Sequence, residues 1–319
     1  MLNRRQFVSL SSAALAAFAL PVRADSKASL TLWGPPVTPT ALLAVAAKHG
    51  KTPFAVKAWR TPDQLRAGLV NGDIGASIVP SYVAANLYNQ GRKVKLYNIM
   101  TEGLLYLGAR EPLSGLDALA GKKLVIPFKN DMPDLVLQAL CKKQGVDFAA
   151  IDVQYTATPP EALMLFLSGK VDCALLPEPV MSMAELKGKE SGAAIVRALD
   201  FQTLWGSTFN TSPVIPQAGL LFTEPFIEQH GDFIAGLDAA LEDALARTLA
   251  DPMATAKLTG DLLPFPAPVL AKAIPHSHFA TTRAASIEND ILHFFSELHA
   301  LNPKITGDKM PDSGLFYRA

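Results

Sequence analysis

Two stretches of the chain carry the same order of apolar and polar positions, 97 residues apart. Thr61-Pro62-Asp63-Gln64-Leu65-Arg66-Ala67-Gly68-Leu69-Val70-Asn71-Gly72 aligns without a gap on Thr158-Pro159-Pro160-Glu161-Ala162-Leu163-Met164-Leu165-Phe166-Leu167-Ser168-Gly169, and Asp73–Pro80 continues on Lys170–Pro177. Each copy predicts the same local structure. Thr61 and Thr158 cap a helix, Pro62 and Pro159 occupy its first position, and Gln64 and Glu161 close capping boxes. The helices stop at Gly72 and Gly169. Short apolar strands follow, Ile74–Val79 and Val171–Leu176, ended by Pro80 and Pro177.

The residues before each copy also match in kind. Phe54–Trp59 and Asp152–Tyr155 read as strands that feed the capped helices. Further upstream, Ser29–Trp33 and Lys122–Pro127 read as first strands, followed by apolar helices over Ala41–Lys48 and Asp134–Lys143. Each half is therefore strand-helix-strand-helix-strand, which implies a mainly parallel sheet flanked by helices. Two such units predict two lobes with a cleft between them. Val94–Met100 reads as a strand that runs into a first crossing at Thr101-Glu102-Gly103, and Pro216–Phe222 as the return. The expected division is 25–103 plus 217–319 for lobe I and 104–216 for lobe II. Helices are expected over Ile227–Leu249 and near Thr282–Leu301, separated by a rigid Pro264–Pro268 loop.

Charge and composition narrow the classes. The chain has 319 residues, with 29 basic and 29 acidic side chains. Arg4, Arg5 and Arg23 stand in an acid-free opening segment, 1–24, and without it 26 basic groups face 29 acidic ones, a net of −3. No basic excess remains to bind nucleic acid. A hydrophobic fraction of 49% with 18% charge argues against disorder. Met1–Gln6 followed by the mild apolar run Phe7–Leu20 and Val22-Arg23-Ala24 has the layout of a cleaved export signal, with cleavage expected near Ala24. Asn3-Arg4-Arg5-Gln6-Phe7-Val8 is similar to the twin-arginine motif. The two cysteines, Cys141 and Cys173, are too few for a disulfide scaffold; an oxidising destination allows one disulfide between them, and the favoured reading is two separate buried thiols.

Open α/β sheets bind ligands beyond the carboxyl ends of their strands, where helix N-termini offer N–H groups and partial positive charge. That rule nominates Trp33, Thr38, Thr40, Trp59, Arg60, Ser81, Tyr82, Phe128, Asn130 and Glu178. Arg60 has the planar fork for a sulfonate, carboxylate or phosphate, and is otherwise a solvated or paired charge. Trp33, Trp59, Tyr82 and Phe128 supply apolar walls, or in the case of the tryptophans a place in the core. Glu178 alternatively pairs with a basic residue or faces a partner. Trp205 and Asn210 are read either as reaching the cleft or as standing outside it. Phosphate-loop, dinucleotide, serine-hydrolase and zinc-protease motifs are missing. His276-Ser277-His278 reads as a surface loop rather than half a metal site. No catalytic group, metal or cofactor is expected.

The export signal, Leu69–Ala76 with its partner Leu167–Ala174, the segment Leu116–Val125 and Leu176-Pro177-Glu178-Pro179 together resemble the substrate-binding proteins of ABC importers, of the nitrate/sulfonate/taurine type. The resemblance covers roughly Leu30 to Lys257. It implies a two-lobed α/β type II periplasmic-binding fold and a monomeric periplasmic receptor. Such a receptor closes on a small organic anion, sulfonates first, and delivers it to an inner-membrane permease with a cytoplasmic ATPase. The brief His49–Pro53 loop and Trp33-Gly34-Pro35-Pro36 depart from the family pattern at the cleft rim. Alternatives are an exported enzyme or cofactor-binding protein related to thiamine-pyrimidine synthases, whose cysteine-rich run this chain lacks, or a receptor feeding a membrane sensor.

Overall fold

The computed structural model of the chain describes residues 30–318; the export signal read at 1–24 lies outside them. Twelve strands form two sheets among the described residues. Lobe I contains β1 (Thr31–Gly34), β2 (Ala55–Ala58), β3 (Ala76–Pro80), β4 (Val94–Leu96), β5 (Asn98–Thr101), β11 (Ala218–Thr223) and β12 (Phe279–Arg283). Lobe II contains β6 (Leu105–Ala109), β7 (Lys123–Pro127), β8 (Asp152–Thr156), β9 (Cys173–Pro177) and β10 (Val196–Asp200). The strand order is β12-β5-β11-β3-β1-β2 in one sheet and β10-β6-β9-β7-β8 in the other, with β4 pairing β11.

The repeat is visible in the strand register. β1 and β2 run parallel from Thr31↔Ala55 to Gly34↔Ala58, and β7 and β8 from Lys123↔Asp152 to Pro127↔Thr156. β1 also lies parallel to β3, and β7 to β9. In each lobe one strand that arrives from the other lobe joins antiparallel: β11 places Ala218 opposite Pro80, and β6 places Leu105 opposite Pro177. Both crossing strands thus enter beside the proline that ends a repeat strand.

The caps follow the repeat. Thr61 Oγ1 accepts the Gln64 N–H at 3.2 Å, and Thr158 Oγ1 the Glu161 N–H at 3.4 Å. The reciprocal bond falls one residue earlier than a standard capping box: Gln64 accepts from the Arg60 N–H, and Glu161 from the Ala157 N–H. The chain therefore enters both helices through the same pair of bonds.

Several elements differ from their sequence reading. The Val94–Met100 strand is two strands interrupted at Tyr97. Ile227–Leu249 is not one helix; helices Glu224–Gln229, Gly231–Ala235 and Leu237–Ala250 are separated at His230 and Gly236. Thr282–Leu301 opens with the end of β12, which extends the lobe I sheet by pairing β5, and its helix spans Glu288–His299.

That last helix ties the lobes. Ile291, Phe294, Phe295 and Leu298 are fully buried, at the spacing of one helix face. Phe294 meets Trp205 of helix Phe201–Phe209 edge-on at 5.4 Å. One apolar cluster runs from Val79, Ile99 and Leu221 of lobe I to Leu105, Leu124 and Cys173 of lobe II through these rings. Trp205 is thereby a core residue, 2% exposed. Cys141 and Cys173 are free and buried, and burial pushes both thiols up to about 11.

Candidate functional site

The crossings are held by buried amides. Gln217 Oε1 accepts the Leu104 N–H at 2.9 Å, and Gln202 Oε1 accepts the Leu105 N–H at 3.1 Å. Between them stands Gly103 at φ 135°, where an added Cβ would collide with the Gln202 side chain; only glycine fits. Thr101 Oγ1 donates to the Ser277 carbonyl at 2.6 Å, and the Ile215 N–H to the Glu102 carbonyl at 2.8 Å.

The ends of the strands carry the nominated residues. On lobe I, β1 runs through Trp33, half-buried with the Lys57 ammonium 5.4 Å from its ring centre, into helix Pro39–His49. Thr38 precedes that helix. Its hydroxyl is fully buried and has no hydrogen-bond partner among the described residues. No acidic residue stands in the helix's first turn. Thr40 differs from its reading: its hydroxyl donates to the Pro35 carbonyl at 2.5 Å and folds the turn after β1. Trp59 is buried, with its indole N–H on Ser77 Oγ at 3.1 Å, so the ring is a fixed part of the core rather than a free wall. Arg60 is exposed beside it, its backbone N–H spent on the Gln64 cap. Ser81 is also committed, donating to the Pro216 carbonyl of the returning chain at 2.5 Å. It secures the crossing.

On lobe II the loop after β7 has two non-glycine residues in the left-handed region, Phe128 at φ 64° and Asn130 at φ 59°. Phe128 is 39% exposed. A large residue held in that conformation is strained by about 1 kcal/mol or more. The strain turns the chain sharply into helix Met132–Gln144. Asp131 caps that helix through the Met132 N–H at 2.7 Å. Asp134, fully buried, accepts from the Asn130 N–H, Gln138 Nε2 and Tyr155 Oη at 2.8–3.0 Å. The positive end of this helix is answered by its own two carboxylates. The lobes touch here: Tyr82 of lobe I faces Asp131, and its phenol is pushed well up by burial and then by that carboxylate. Asn302 Nδ2 donates to the Asn130 carbonyl at 3.1 Å.

Glu178 departs most from its reading as a ligand contact. It is fully buried, ion-paired with Arg197, and accepts the Ser182 N–H at 3.2 Å. Burial raises its carboxyl to about 7 against the opposing pull of Arg197. Arg197 also pairs with Glu185 at 3.2 Å, and Glu185 with Lys272 at 3.0 Å, on a helix that packs against lobe II. Arg197 and its partners were not read from the sequence; the basic residue lies 19 positions from Glu178, on a strand, β10, that the apolar pattern did not reveal.

Among the described residues no group of three or more histidines, cysteines and carboxylates is placed to hold a metal. No helix among them is long and apolar enough to cross a membrane. A surface depression of about 490 Å³ lies between Lys95, helix Glu224–Gln229 and residues 313–318, and none of the nominated residues lines it.

No family model matches the sequence. One relative, described as a putative aliphatic sulfonates-binding protein of Escherichia coli (strain K12), is 25% identical over 185 residues, 58% of this chain; the match spans about half, 53%, of that protein. Among solved structures, an ABC transporter protein from Parabacteroides distasonis has a TM-score of 0.78 at 22% identity, covering 91% of this chain and 99% of the other. The periplasmic aliphatic sulphonate binding protein SsuA from Escherichia coli has a TM-score of 0.67 at 19% identity, covering 91% and 92%. These structures share the fold described above, two sheets flanked by helices. The chain thus has the fold of these periplasmic binding proteins of ABC transporters, and over part of its length its sequence is similar to a sulfonate-binding one.

Proposed function

We propose that this chain is an exported solute receptor of an ABC importer, divided at 103/104 and 216/217 into two lobes that close on a small organic anion of sulfonate type. The observation that carries this reading is Thr38. A fully buried hydroxyl without a partner is costly, by roughly 1–3 kcal/mol, and this one sits where an eleven-residue helix with no acid in its first turn begins. An anion's oxygen satisfies the hydroxyl and meets the positive end of the helix together. The corresponding helix of lobe II supplies no such end, because Asp131 and Asp134 already occupy its start, and Glu178 takes the Ser182 N–H at the start of helix Val180–Ser191. The ligand's charge therefore belongs at lobe I. Its remaining body lies against Trp33, Tyr82 and Phe128, with Asn130 and Arg60 at the rim.

Mechanistically the ligand bridges both lobes only when they are closed, so binding shifts that equilibrium. The closed form then engages an inner-membrane permease with its ATPase. Segment 1–24 directs export to the periplasm and is removed. Calorimetric titration of the chain lacking 1–24 with linear alkanesulfonates and nitrate tests the reading. A sulfonate should bind, and Thr38→Val should weaken it more than tenfold, about 1.4 kcal/mol, without lowering the melting temperature. No binding of any member of the series would overturn the receptor assignment; an unchanged affinity in Thr38→Val would move the anion away from lobe I.

A further inference from the structure

The His276-Ser277-His278 segment is not the surface loop that its sequence suggested: Ser277 is fully buried, and the segment lies where the lobes meet beside the crossings. His278 immediately precedes β12 of lobe I, and its carbonyl accepts the Glu102 N–H of the first crossing at 2.8 Å. Its Nε2 lies 3.0 Å from Tyr106 Oη on β6 and 3.7 Å from Asp200 Oδ2 at the end of β10, both in lobe II. Tyr106 Oη is also 2.9 Å from the His276 carbonyl. A carbonyl only accepts, so the phenol's single hydrogen goes there. The contact with His278 then requires the hydrogen to be on Nε2. This fixes the neutral tautomer, leaves Nδ1 to take a second proton, and sets the resulting charge beside Asp200.

We propose that His278 is a proton-operated brace across the hinge: protonated, it ties lobe I to Asp200 of lobe II and restrains opening; neutral, it keeps only the weaker bond to Tyr106. This rests on reading the molecule as a hinged receptor. The titratable and charged groups that face the imidazole come from both lobes. Burial raises Asp200, but the neighbouring His278 imidazole and the hydrogen bond from the Thr203 N–H outweigh it and hold the carboxyl below its usual range, ionised. Glu102, raised by burial, adds a second carboxyl on the crossing side. Tyr106 is pushed far up by burial and stays neutral. The opposing cations are accounted for: Arg197 lies over the Tyr106 ring at 4.6 Å but is paired with Glu178 and Glu185, Lys272 is paired with Glu185, and His276 is kept low by burial and then by Arg197. Imidazoles change charge between about pH 5 and 8. The brace is therefore present in acid and lost as the pH rises.

A double-mutant cycle with His278→Gln and Asp200→Asn, measured by unfolding at about pH 5 and about pH 8, separates this pair from Glu178, which titrates in the same interval. The expected coupling is at least threefold in the folding equilibrium at the lower pH and absent at the higher. In parallel, small-angle scattering of the ligand-free chain should show a radius of gyration that grows from low to high pH. His278→Gln should hold the larger value at both. Asp200→Asn, which preserves the bond to Tyr106, should do the same. Equal coupling at both pH values, a pH-independent radius in the unsubstituted chain, or expansion that persists unchanged in both variants would overturn the brace. Titration with an alkanesulfonate is the separate readout for the receptor reading. Its failure, with pH-dependent coupling intact, would remove the receptor and leave the brace.

Discussion

The two copies of the repeat share length, caps and strand register, yet they end differently. After Pro80 the chain places Ser81, whose hydroxyl fastens the returning strand at Pro216. After Pro177 it places Glu178, buried in an ion pair. The first helices differ in the same way: Thr38 opens one without any acid, whereas Asp131 and Asp134 open the other. A duplicated scaffold thus keeps its backbone hydrogen bonding and varies the charge at the strand ends. The asymmetry separates a half whose first helix opens without a carboxylate from one that has spent its helix start on internal order.

The comparison breaks most visibly if the lobe II network is cut. Arg197→Met strands Glu178 as an uncompensated buried charge, and should cost about 3–5 kcal/mol, measured by chemical denaturation; an equal loss on replacing Ser81 with Ala would erase the difference between the lobes. Glu178 also gives lobe II its own pH dependence. Its folded-state carboxyl lies near 7, above the ordinary 4.5, so the folded state holds the proton more tightly than the unfolded one. Its contribution is fully present below the unfolded value and is lost as the pH rises through about 7. Glu178→Gln should flatten stability against pH across that window, and an unchanged slope would remove Glu178 as its source. The caps should behave as twins: Thr61→Ala and Thr158→Ala should each cost about 1 kcal/mol, and a clear inequality in their melting shifts would show that the repeat's likeness stops at geometry. Smallest is Lys272→Ala, a partly exposed partner of Glu185, expected to cost at most about 1 kcal/mol.

Much of the fold was legible because it is local. Threonine, proline and glycine at fixed offsets specify the caps of both repeat helices, and the apolar runs after them specify β3 and β9. Elements whose character is set by distant packing were not legible. β10 is half-buried along its whole length and shows no clean alternation, and β12 exists because β5 offers an edge. His230 and Gly236 break what reads as one apolar helix. The site was legible to the level of strand ends and no further. Thr38 and Thr40 look equivalent in the sequence, but only the folded turn shows that Thr40 is bonded to Pro35 while Thr38 is not. The acids of helix Met132–Gln144 were visible; their meaning depended on Asp134 being buried.

The apolar cluster that passes through Phe294 and Trp205 has a consequence for unfolding. One face of each sheet packs into this shared interior: Trp205 and Phe209 would lie bare if lobe II were produced by itself, and Phe294 would lie bare on lobe I. Heat should therefore melt the molecule in one calorimetric transition, and a fragment spanning 104–216 should be aggregation-prone rather than a miniature of the whole.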